Sequence, residues 1–319
     1  MGRVGGGSGP TLHLSGHVDV VPVDSPDAWR HDPWGAEIAD GRMWGRGAGD
    51  MKAGLAAYLI GAEAALEVCG GGLPGDLLFS SVIEEECGGN GMRAVLQHVG
   101  AEHALLIGEP TDLDLHHAGV GVIWFRVTAR GSGTHAAFAQ LDAPVDLLAA
   151  AVAALRELEA ELNAERADAV FFGVSDHPYN LNLGMLAGGT WPSSVPEAVT
   201  LRGRLGFGRD LAPADAQRRV AAALAGIAGV EVGFEGFRAQ AYAHRVDGPL
   251  GDAVRAAHHG APPRPRVDTF TTDARQGTGE ALCYGPRAGA IHGVDEWVDL
   301  ESVHAVAHAI ARLVAGWGR

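Results

Sequence analysis

The chain has 319 residues, more than one hydrophobic core usually serves, so two domains are expected. Its apolar fraction of 47% and charged fraction of 20% are ordinary for a soluble globular enzyme. The formal net charge is -15, from 39 acidic and 24 basic residues. Because a surface this acidic repels nucleic acid and anionic lipid, we expect neither as a partner.

The cysteines and the N-terminus indicate the compartment. Cys69, Cys87 and Cys283 form no C-x-x-C pair, and an odd number gives no complete disulfide framework, which favours a reducing cytoplasm. No apolar run reaches the ~18 residues of a membrane span, and no signal pattern opens the chain. The Gly-rich residues 1–10 are expected to be flexible. The sequence therefore predicts a cytoplasmic protein.

The first third of the chain alternates short apolar strands with helices. Strands are predicted over residues 11–15, 77–83 and 103–107, and a helix over 52–68. This alternation predicts an α/β layer with a mostly parallel sheet. Functional sites gather at the C-terminal ends of such strands. Each predicted strand runs into a polar cluster of this kind: His17-Val18-Asp19, Glu84-Glu85-Glu86, and Glu109.

The pattern changes after about residue 119. The strands predicted there are 120–130, 181–186, 198–207 and 230–234, and the helices are 142–166 and 213–227. The order β-α-β-β-α-β indicates a small α+β domain with its helices on one face. The α/β character returns near residue 244. We therefore predict a first domain made of 1–118 and 243–319, interrupted by a second domain, 119–242.

Two histidines and three carboxylates form a candidate ligand set, because each lies at a turn or strand end of the α/β layer. They are His17, Asp50, one member of the Glu84-Glu85-Glu86 triplet, Glu109 and His292. Nitrogen and oxygen ligands without thiolate suit zinc or a similar divalent ion. A bridging carboxylate with two more ligands per ion would hold two ions about 3.5–4 Å apart. Taken singly each residue has an ordinary alternative; Asp50, for example, could simply cap a helix.

Short motifs of polar and glycine residues occur along nearly the whole chain. They are SGHVDVVP (15–22), GRGAGDMKAG (45–54), VIEEECGG (82–89), GEPT (108–111), GSGTH (131–135), TDAR (272–275), YGP (284–286) and HGVDE (292–296). In these motifs and their order the sequence resembles the M20 family of metallopeptidases and deacylases, and within it the acetylornithine deacetylase/succinyl-diaminopimelate desuccinylase group.

The resemblance implies a zinc-hydrolase-type catalytic domain interrupted by a dimerisation or lid domain. It also implies two divalent metal ions, zinc in the first place and cobalt as the alternative. His17, Asp50 and Glu109 would hold one ion, and Asp50, Glu86 and His292 the other, with Asp50 bridging. Asp19 would orient His17. The peptide bond after Asp50 is cis in relatives.

The resemblance also implies the catalytic roles. An ungapped match places Glu85 as general base and Glu86 as ligand, whereas a shift by one residue would assign Glu84 and Glu85. The base would take a proton from the attacking water and return it to the leaving nitrogen. In relatives a histidine of the partner subunit stabilises the oxyanion. His135 matches that position, so activity would require a homodimer.

The substrate side departs from the family pattern. Relatives often have Asn where this chain has Ser194, and their substrate-binding Arg aligns with Gly206. Arg204 lies two residues earlier, on the same face of a strand, and could substitute. Arg275 could also bind a substrate carboxylate. Relatives further carry several tens of residues before the first metal motif, so a shortened chain with an exposed sheet edge is one expectation.

These observations predict a metal-dependent amidohydrolase that removes an N-acyl group from a small amino-acid-like substrate. Two alternatives stay open at this point. One is a dipeptidase or carboxypeptidase of the same family, which would act on short peptides by the same chemistry. The other is a non-catalytic, shortened relative that binds metal without turnover.

Overall fold

A computed structural model describes residues 1–5, 9–101, 103–138 and 143–319. The strands in these ranges are β1 (Gly2–Val4), β2 (Thr11–His17), β3 (Glu37–Ala39), β4 (Arg42–Trp44), β5 (Asp76–Val82), β6 (Ala104–Ile107), β7 (Leu115–Gly119), β8 (Gly121–Arg130), β9 (Leu181–Gly188), β10 (Ala198–Phe207), β11 (Val230–Ala239), β12 (Tyr242–Ala243), β13 (Pro265–Val267), β14 (Ala281–Cys283), β15 (Ala288–Gly289) and β16 (Trp297–Asp299). The helices are α1 (Ala53–Val68), α2 (Asn90–Val99), α3 (Pro144–Glu165), α4 (Ala169–Phe172), α5 (Pro213–Leu224), α6 (Pro249–Ala257) and α7 (Leu300–Gly316).

The predicted elements are confirmed, with small shifts at their ends. The first predicted strand continues to His17, and the last strand of the small domain runs to Ala239 rather than residue 234. The long helix begins at Pro144, because proline suits the first helical turn. Its predicted start, Asp142, lies outside the described residues. None of the helices in the described ranges is both long and apolar enough to cross a membrane.

The chain divides into two compact units. The first comprises Met1–His117, Ala243–Arg266 and Thr272–Arg319. The second comprises Ala118–Tyr242 and Val267–Thr271.

The first unit is built on a mostly parallel sheet of order β1-β5-β2-β6-β14-β7-β12, with β13 paired to β7. Strands β5, β2, β6 and β14 are mutually parallel, whereas β1 and β7 pair antiparallel. Its core joins the sheet to α1 and α7 through side chains such as Leu14, Tyr58 and Ile310. Helix α1 begins close to the end of β6. The approach is so close that a Cβ atom at Gly54 would overlap the carbonyl oxygen of Gly108, so this position requires glycine.

Two parts of the first unit differ from the sequence-based expectation. The N-terminus was expected to be flexible, but Gly2–Val4 pairs antiparallel with β5, opposite Leu77–Phe79. Backbone pairing does not require apolar side chains, so a Gly-rich segment can still add a strand. A small sheet of order β15-β16-β4-β3 was also not predicted. Its strands are two or three residues long, too short to show a periodicity.

The second unit is a four-stranded antiparallel sheet of order β11-β8-β10-β9. Helices α3 and α5 pack on β8 and on each other, so both cover the same face of the sheet. Side chains at alternate positions, such as Phe125, Leu201 and Leu205, are buried on that face. The predicted fold class, an α/β unit interrupted by a smaller α+β unit, is therefore confirmed.

Candidate metal centre

Three strand ends bring the predicted polar clusters together. Strand β2 pairs in parallel with β5 on one side and β6 on the other. Backbone hydrogen bonds continue past the strands, from Val18 N–H to Val82 O at 2.9 Å and from Gly108 N–H to Ser15 O at 3.0 Å. Because the strands are parallel, the residues that follow them emerge at the same edge of the sheet. The sheet topology thus explains why His17, the acidic triplet and Glu109 belong to one site.

The centre of the site is a cluster of His17, Asp50, Glu86 and His292. His17 Nε2 lies 3.0 Å from Asp50 Oδ1, and His292 Nε2 lies 3.3 Å from Asp50 Oδ2. His292 Nε2 is also 3.2 Å from the Glu86 carboxylate. Ligand atoms of His17, Asp50 and Glu86 all lie within 4.8 Å of one another. Asp50 contacts both histidines through different oxygens, a geometry that fits a bridging ligand.

The neighbouring carboxylates raise the pKa values of both histidines and so favour their protonated forms. Burial acts to lower the pKa of His17, but Asp19 and Asp50 outweigh it and raise that pKa to about 12. Hydrogen bonds with Asp50 and Glu86 raise the pKa of His292 to about 10. Burial opposes ionisation of Asp50, yet the two histidines hold its pKa well below the usual range. The carboxylates of the site therefore favour a positive charge at its centre.

A tight loop presents Asp50 to the cluster. Gly47 has φ of 78°, a left-handed conformation that suits glycine, and the Asp50–Met51 peptide bond is cis. The alternative that Asp50 caps a helix is wrong, because α1 has Lys52 at its N-cap and no side-chain cap bond there. The fully buried Glu296 carboxylate accepts hydrogen bonds from the N–H groups of Gly47, Gly49 and Asp50 at 3.0–3.1 Å.

The three glutamates of the triplet point to different surroundings. Asp19 accepts hydrogen bonds from the backbone N–H groups of Glu85 at 3.4 Å and Glu86 at 3.2 Å. Glu84 is exposed, and its carboxylate accepts a hydrogen bond from Asn90 at 2.8 Å. Of the three, Glu86 contacts His292, Glu85 is buried, and Glu84 faces solvent.

Glu85 is a buried carboxylate with an incomplete set of partners. Within the described residues its Oε1 atom has no hydrogen-bond partner, and Arg275 Nη1 lies 3.7 Å away. Burial, with the nearby Asp273 charge, raises the pKa of Glu85 to about 8. A carboxyl group in such a place can hold and release a proton near neutral pH.

Glu109 completes the acidic character of the site. Its side chain is buried, and burial together with the Asp50 charge raises its pKa well above the usual range. Four carboxylates, Asp50, Glu85, Glu86 and Glu109, thus share a region with the two histidines, Lys52 and Arg275. A divalent cation compensates such a group of charges, so these residues fit a metal centre.

Asp19 has a more complex role than the sequence suggests. His17 Nδ1 lies 3.0 Å from the backbone oxygen of Asp19 and 3.5 Å from its Oδ1 atom. The shorter distance makes the backbone oxygen the better acceptor. The carboxylate also accepts hydrogen bonds from the N–H groups of Glu85 and Glu86 in the acidic triplet. Asp19 therefore connects His17 to the loop that carries Glu85 and Glu86.

Three other predicted residues lie outside this cluster. His135 and Arg204 belong to the second unit, where His135 is exposed and Arg204 is half-buried. Arg275 belongs to the first unit, and its side chain is only 6% exposed. It donates hydrogen bonds to backbone oxygens of Thr272 at 2.7 Å and Gly88 at 3.0 Å. Its role as a substrate ligand stays a prediction.

Sequence reasoning assigned no role to two buried acids, Glu296 and Asp273. Both lie in quoted motifs, HGVDE and TDAR, which was the available signal. Their side chains are 0% and 2% exposed, respectively. Acidic residues are almost never fully buried without partners, but burial itself cannot be read from a short motif.

The motif order and the fold agree with a comparison to known families. Residues 13–316 match the Peptidase family M20/M25/M40. The chain belongs to this family. The resemblance seen in the sequence is thereby confirmed, and with it a hydrolase class that acts on amide bonds.

Curated relatives carry the name succinyl-diaminopimelate desuccinylase. One from Acidiphilium cryptum is 32% identical over 327 residues, covering 98% of this chain and 85% of the relative. Another from Rhodospirillum centenum is 39% identical over 157 residues, 46% of this chain. That second match spans only 41% of the relative's length, less than half.

Solved structures share the fold at low sequence identity. Human carnosine dipeptidase 1 has a TM-score of 0.78 at 16% identity, covering 98% of this chain and 82% of that one. The Bacillus subtilis YXEP protein, described as a dinuclear metal binding peptidase of the M20 family, has a TM-score of 0.55 at 17% identity. The match covers 98% of this chain and 83% of the Bacillus subtilis chain.

Proposed function

We propose that this protein is a two-metal amidohydrolase that removes an acyl group from the nitrogen of an amino-acid-like substrate. The observation that carries the proposal is the cluster of His17, Asp50, Glu86 and His292, with the buried Glu85 immediately before Glu86. Relatives named succinyl-diaminopimelate desuccinylase support an acyl-amide substrate. N-succinyl-diaminopimelate is accordingly the first substrate to test.

Two divalent ions would occupy the centre, zinc first and cobalt as the alternative. His17, Asp50 and Glu109 would hold one, and Asp50, Glu86 and His292 the other. The donor set without thiolate supports zinc, and a family neighbour described as dinuclear supports the number. Such ions, when bound, lower the pKa of a water molecule and polarise an amide carbonyl.

Glu85 is the proposed general base. Its carboxylate would take a proton from the attacking water and deliver it to the leaving amide nitrogen. Burial raises the pKa of Glu85 to about 8, and a nearby cation lowers such a pKa again, toward the range where a carboxyl group alternates between acid and base. Asp19 would fix the backbone of Glu85 and Glu86 through its two hydrogen bonds.

His135 is the proposed oxyanion donor, supplied by the partner subunit of a homodimer. The Ala137 N–H donates to His135 Nδ1 at 3.1 Å. In the neutral imidazole this leaves the proton on Nε2, which makes Nε2 a hydrogen-bond donor. An exposed donor of this kind supports the proposed role.

Arg204 is the proposed site for a carboxylate of the substrate. It lines a cavity of about 560 Å³ within the second unit, together with Trp124, Asn182 and Met185. Burial lowers the pKa of Arg204, and no described carboxylate forms an ion pair with it. Glu235 in the same cavity is already paired with Arg202 at 3.1 Å. A carboxylate would supply the missing counter-charge for Arg204.

We propose a cytoplasmic location because of the state of the three cysteines. Cys69, Cys87 and Cys283 form no disulfide within the described residues. A reducing compartment keeps thiols in this state.

Metal-dependent hydrolysis of a substrate panel tests the proposal. The panel contains N-succinyl-diaminopimelate, N-acetyl-ornithine, other N-acyl amino acids and dipeptides, each with added zinc or cobalt and with a chelator as control. Metal-dependent release of amine from an N-acyl amino acid supports the deacylase. Turnover of dipeptides alone would favour a dipeptidase, as the name of the carnosine dipeptidase neighbour suggests. No turnover by folded, metal-loaded dimer would reject both and leave a non-catalytic relative.

A further inference from the structure

A short turn in the first unit lies against the loop that carries the acidic triplet. The turn, Asp273–Gln276, begins at Thr272, whose hydroxyl accepts a hydrogen bond from the Ala274 N–H at 3.2 Å. The side chains of Asp273 and Arg275 are 2% and 6% exposed. The turn therefore presents buried polar groups, and these groups must find partners inside the protein.

The partners are two consecutive carbonyl groups of the loop. Arg275 Nη2 donates to the backbone oxygen of Gly88 at 3.0 Å, and Gln276 Nε2 donates to that of Gly89 at 2.8 Å. Asp273 Oδ1 accepts from the Gln276 amide at 2.8 Å and lies 3.5 Å from Arg275 Nη2. The Asp273 carboxylate thereby orients both donors, and the turn holds the loop at two adjacent points.

The loop is shaped for this approach. Gly89 has φ of 74°, a conformation that side chains rarely adopt. A Cβ atom at Gly89 would overlap Arg275 and Asp273. The backbone N–H groups of Gly88 and Gly89 in turn bond to the backbone oxygens of Glu85 and Glu84. The loop is thus a closed turn, and its Gly88 and Gly89 carbonyl groups accept hydrogen bonds from Arg275 and Gln276.

Arg275 also reaches the proposed base itself. Its Nη1 atom lies 3.7 Å from Glu85 Oε1, the buried oxygen that has no hydrogen-bond partner within the described residues. The same Nη1 atom donates to Thr272 O at 2.7 Å. Because a guanidinium is planar and is held here at both terminal nitrogens, its distance to Glu85 is constrained.

We propose that Arg275, Gln276 and Asp273 are positioning residues, which hold the loop 84–89 and the Glu85 carboxylate in place for proton transfer. The catalytic meaning of this inference rests on the proposed function. It gives Arg275 a different role from that of a substrate ligand, because hydrogen bonds to the backbone oxygens of Thr272 and Gly88 hold its guanidinium against the loop. A displacement of about 1 Å at a reacting group can cost ~100-fold in rate, so the hold on the loop matters for activity.

The first test compares steady-state kinetics of Arg275→Met, Arg275→Lys and Gln276→Leu with the wild type. Arg264→Met serves as a matched control, because Arg264 is a surface residue of the same unit paired with Asp114. For Arg275→Met we expect kcat to fall about 10- to 100-fold, with KM within about 3-fold and the metal content unchanged. Gln276→Leu should shift kcat in the same direction by less, and Arg275→Lys should restore part of the loss. A raised KM with unchanged kcat would overturn the inference and return Arg275 to substrate binding.

The second test does not depend on activity. Hydrogen exchange of the metal-free protein is followed in peptides that cover residues 84–89. We expect the amides of Gly88 and Gly89 to exchange about 10-fold faster or more in Arg275→Met and Gln276→Leu, and at the wild-type rate in Arg264→Met. Unchanged exchange in both variants would overturn the inference. Faster exchange in a protein that hydrolyses nothing would support it while rejecting the proposed function.

Discussion

Glu296 Oε1 accepts a hydrogen bond from the backbone N–H of Asp50 at 3.0 Å, so a fully buried carboxylate holds the residue that contacts both histidines of the site. The same oxygen accepts from Gly47 and Gly49, and Oε2 pairs with Arg46. Charge-assisted bonds of this kind are about twice as strong as neutral ones. Glu296 thereby fixes the conformation of the loop that presents Asp50.

Glu296→Gln should weaken both folding and metal binding. The amide removes the charge and turns an N–H₂ group toward Arg46 or the loop N–H groups, which costs about 1–3 kcal/mol of stability. We expect a lower free energy of unfolding in urea and a weaker metal affinity by calorimetric titration. Glu301→Gln, at an exposed position in the first turn of α7, is the control and should change neither by much. Equal effects of the two variants would contradict this role.

The assignment of roles within the acidic triplet predicts opposite effects of glutamine substitutions at the adjacent residues Glu84 and Glu85. Glu85→Gln should lower kcat by about 10²- to 10⁴-fold and retain metal, because only the proton carrier is lost. Glu84→Gln should keep activity near wild type, because Glu84 is exposed and bonded to Asn90. Kinetics and metal analysis of both variants check this. Loss of turnover in Glu84→Gln, with metal loss in Glu85→Gln, would favour the shifted alignment.

Metal affinity should rise with pH through neutrality. In the metal-free site the pKa of His17 is raised to about 12 and that of His292 to about 10, so both carry protons at pH 7. Burial and the Asp50 charge also raise the pKa of Glu109, so its ionisation acts in the same direction. Binding must displace these protons, so the association constant should increase about tenfold per pH unit for each one.

Calorimetry in buffers of different ionisation enthalpy counts the protons released by zinc. The exposed His98→Gln variant is the control, because it should release the same number as the wild type. An affinity that stays constant from pH 6 to 8, with no proton release, would contradict the prediction.

Because His13 is buried, we expect the folding stability of the first unit to decrease in acid. His13 is buried on β2, bonds Ser80 at 2.8 Å, and burial, with His103 nearby, lowers its pKa to about 4. The unfolded chain, with a pKa of about 6.5, binds more protons between these values, so stability falls as pH drops from 6.5 to 4. Below pH 4 both states are protonated and this loss ends.

At pH 5 this linkage amounts to about 2 kcal/mol. Urea denaturation of metal-free wild type and His13→Gln at pH 7 and pH 5 measures it, because glutamine can keep a hydrogen bond to Ser80 without titrating. The wild type should lose about 2 kcal/mol more than the variant on acidification. Parallel losses in the two proteins would show that His13 is not the group concerned.

Arg204→Met should act on substrate binding. If Arg204 binds a carboxylate, its loss raises KM for acidic substrates by about 10-fold or more, with a smaller effect on kcat. Arg202→Met is the matched control, because Arg202 lies on the same strand and is already paired with Glu235. Equal KM changes in the two variants would indicate a general charge effect rather than a specific contact.

Much of this protein could be read from its residues in order. Alternating strands and helices predicted the α/β unit, and the switch to β-α-β-β-α-β predicted the inserted one, because periodicity and turn residues are local signals. The strand-end clusters predicted a common edge for His17, the triplet and Glu109, since parallel strands all end at one edge of the sheet. Family motifs carried the remaining expectations about metals and chemistry.

Other features depend on contacts between distant parts of the chain, and only the tertiary structure decided them. Strand β1 and the small sheet are too short or too Gly-rich to show a pattern, so pairing alone defines them. Glu296 accepts a hydrogen bond from the backbone of Asp50, about 250 residues away in sequence. Arg275 donates one to the backbone oxygen of Gly88, about 190 residues away. The roles of Glu296 and Arg275 follow from their burial and from these distant partners. A sequence names the side chains that can ionise or donate, but their surroundings determine what each of them does.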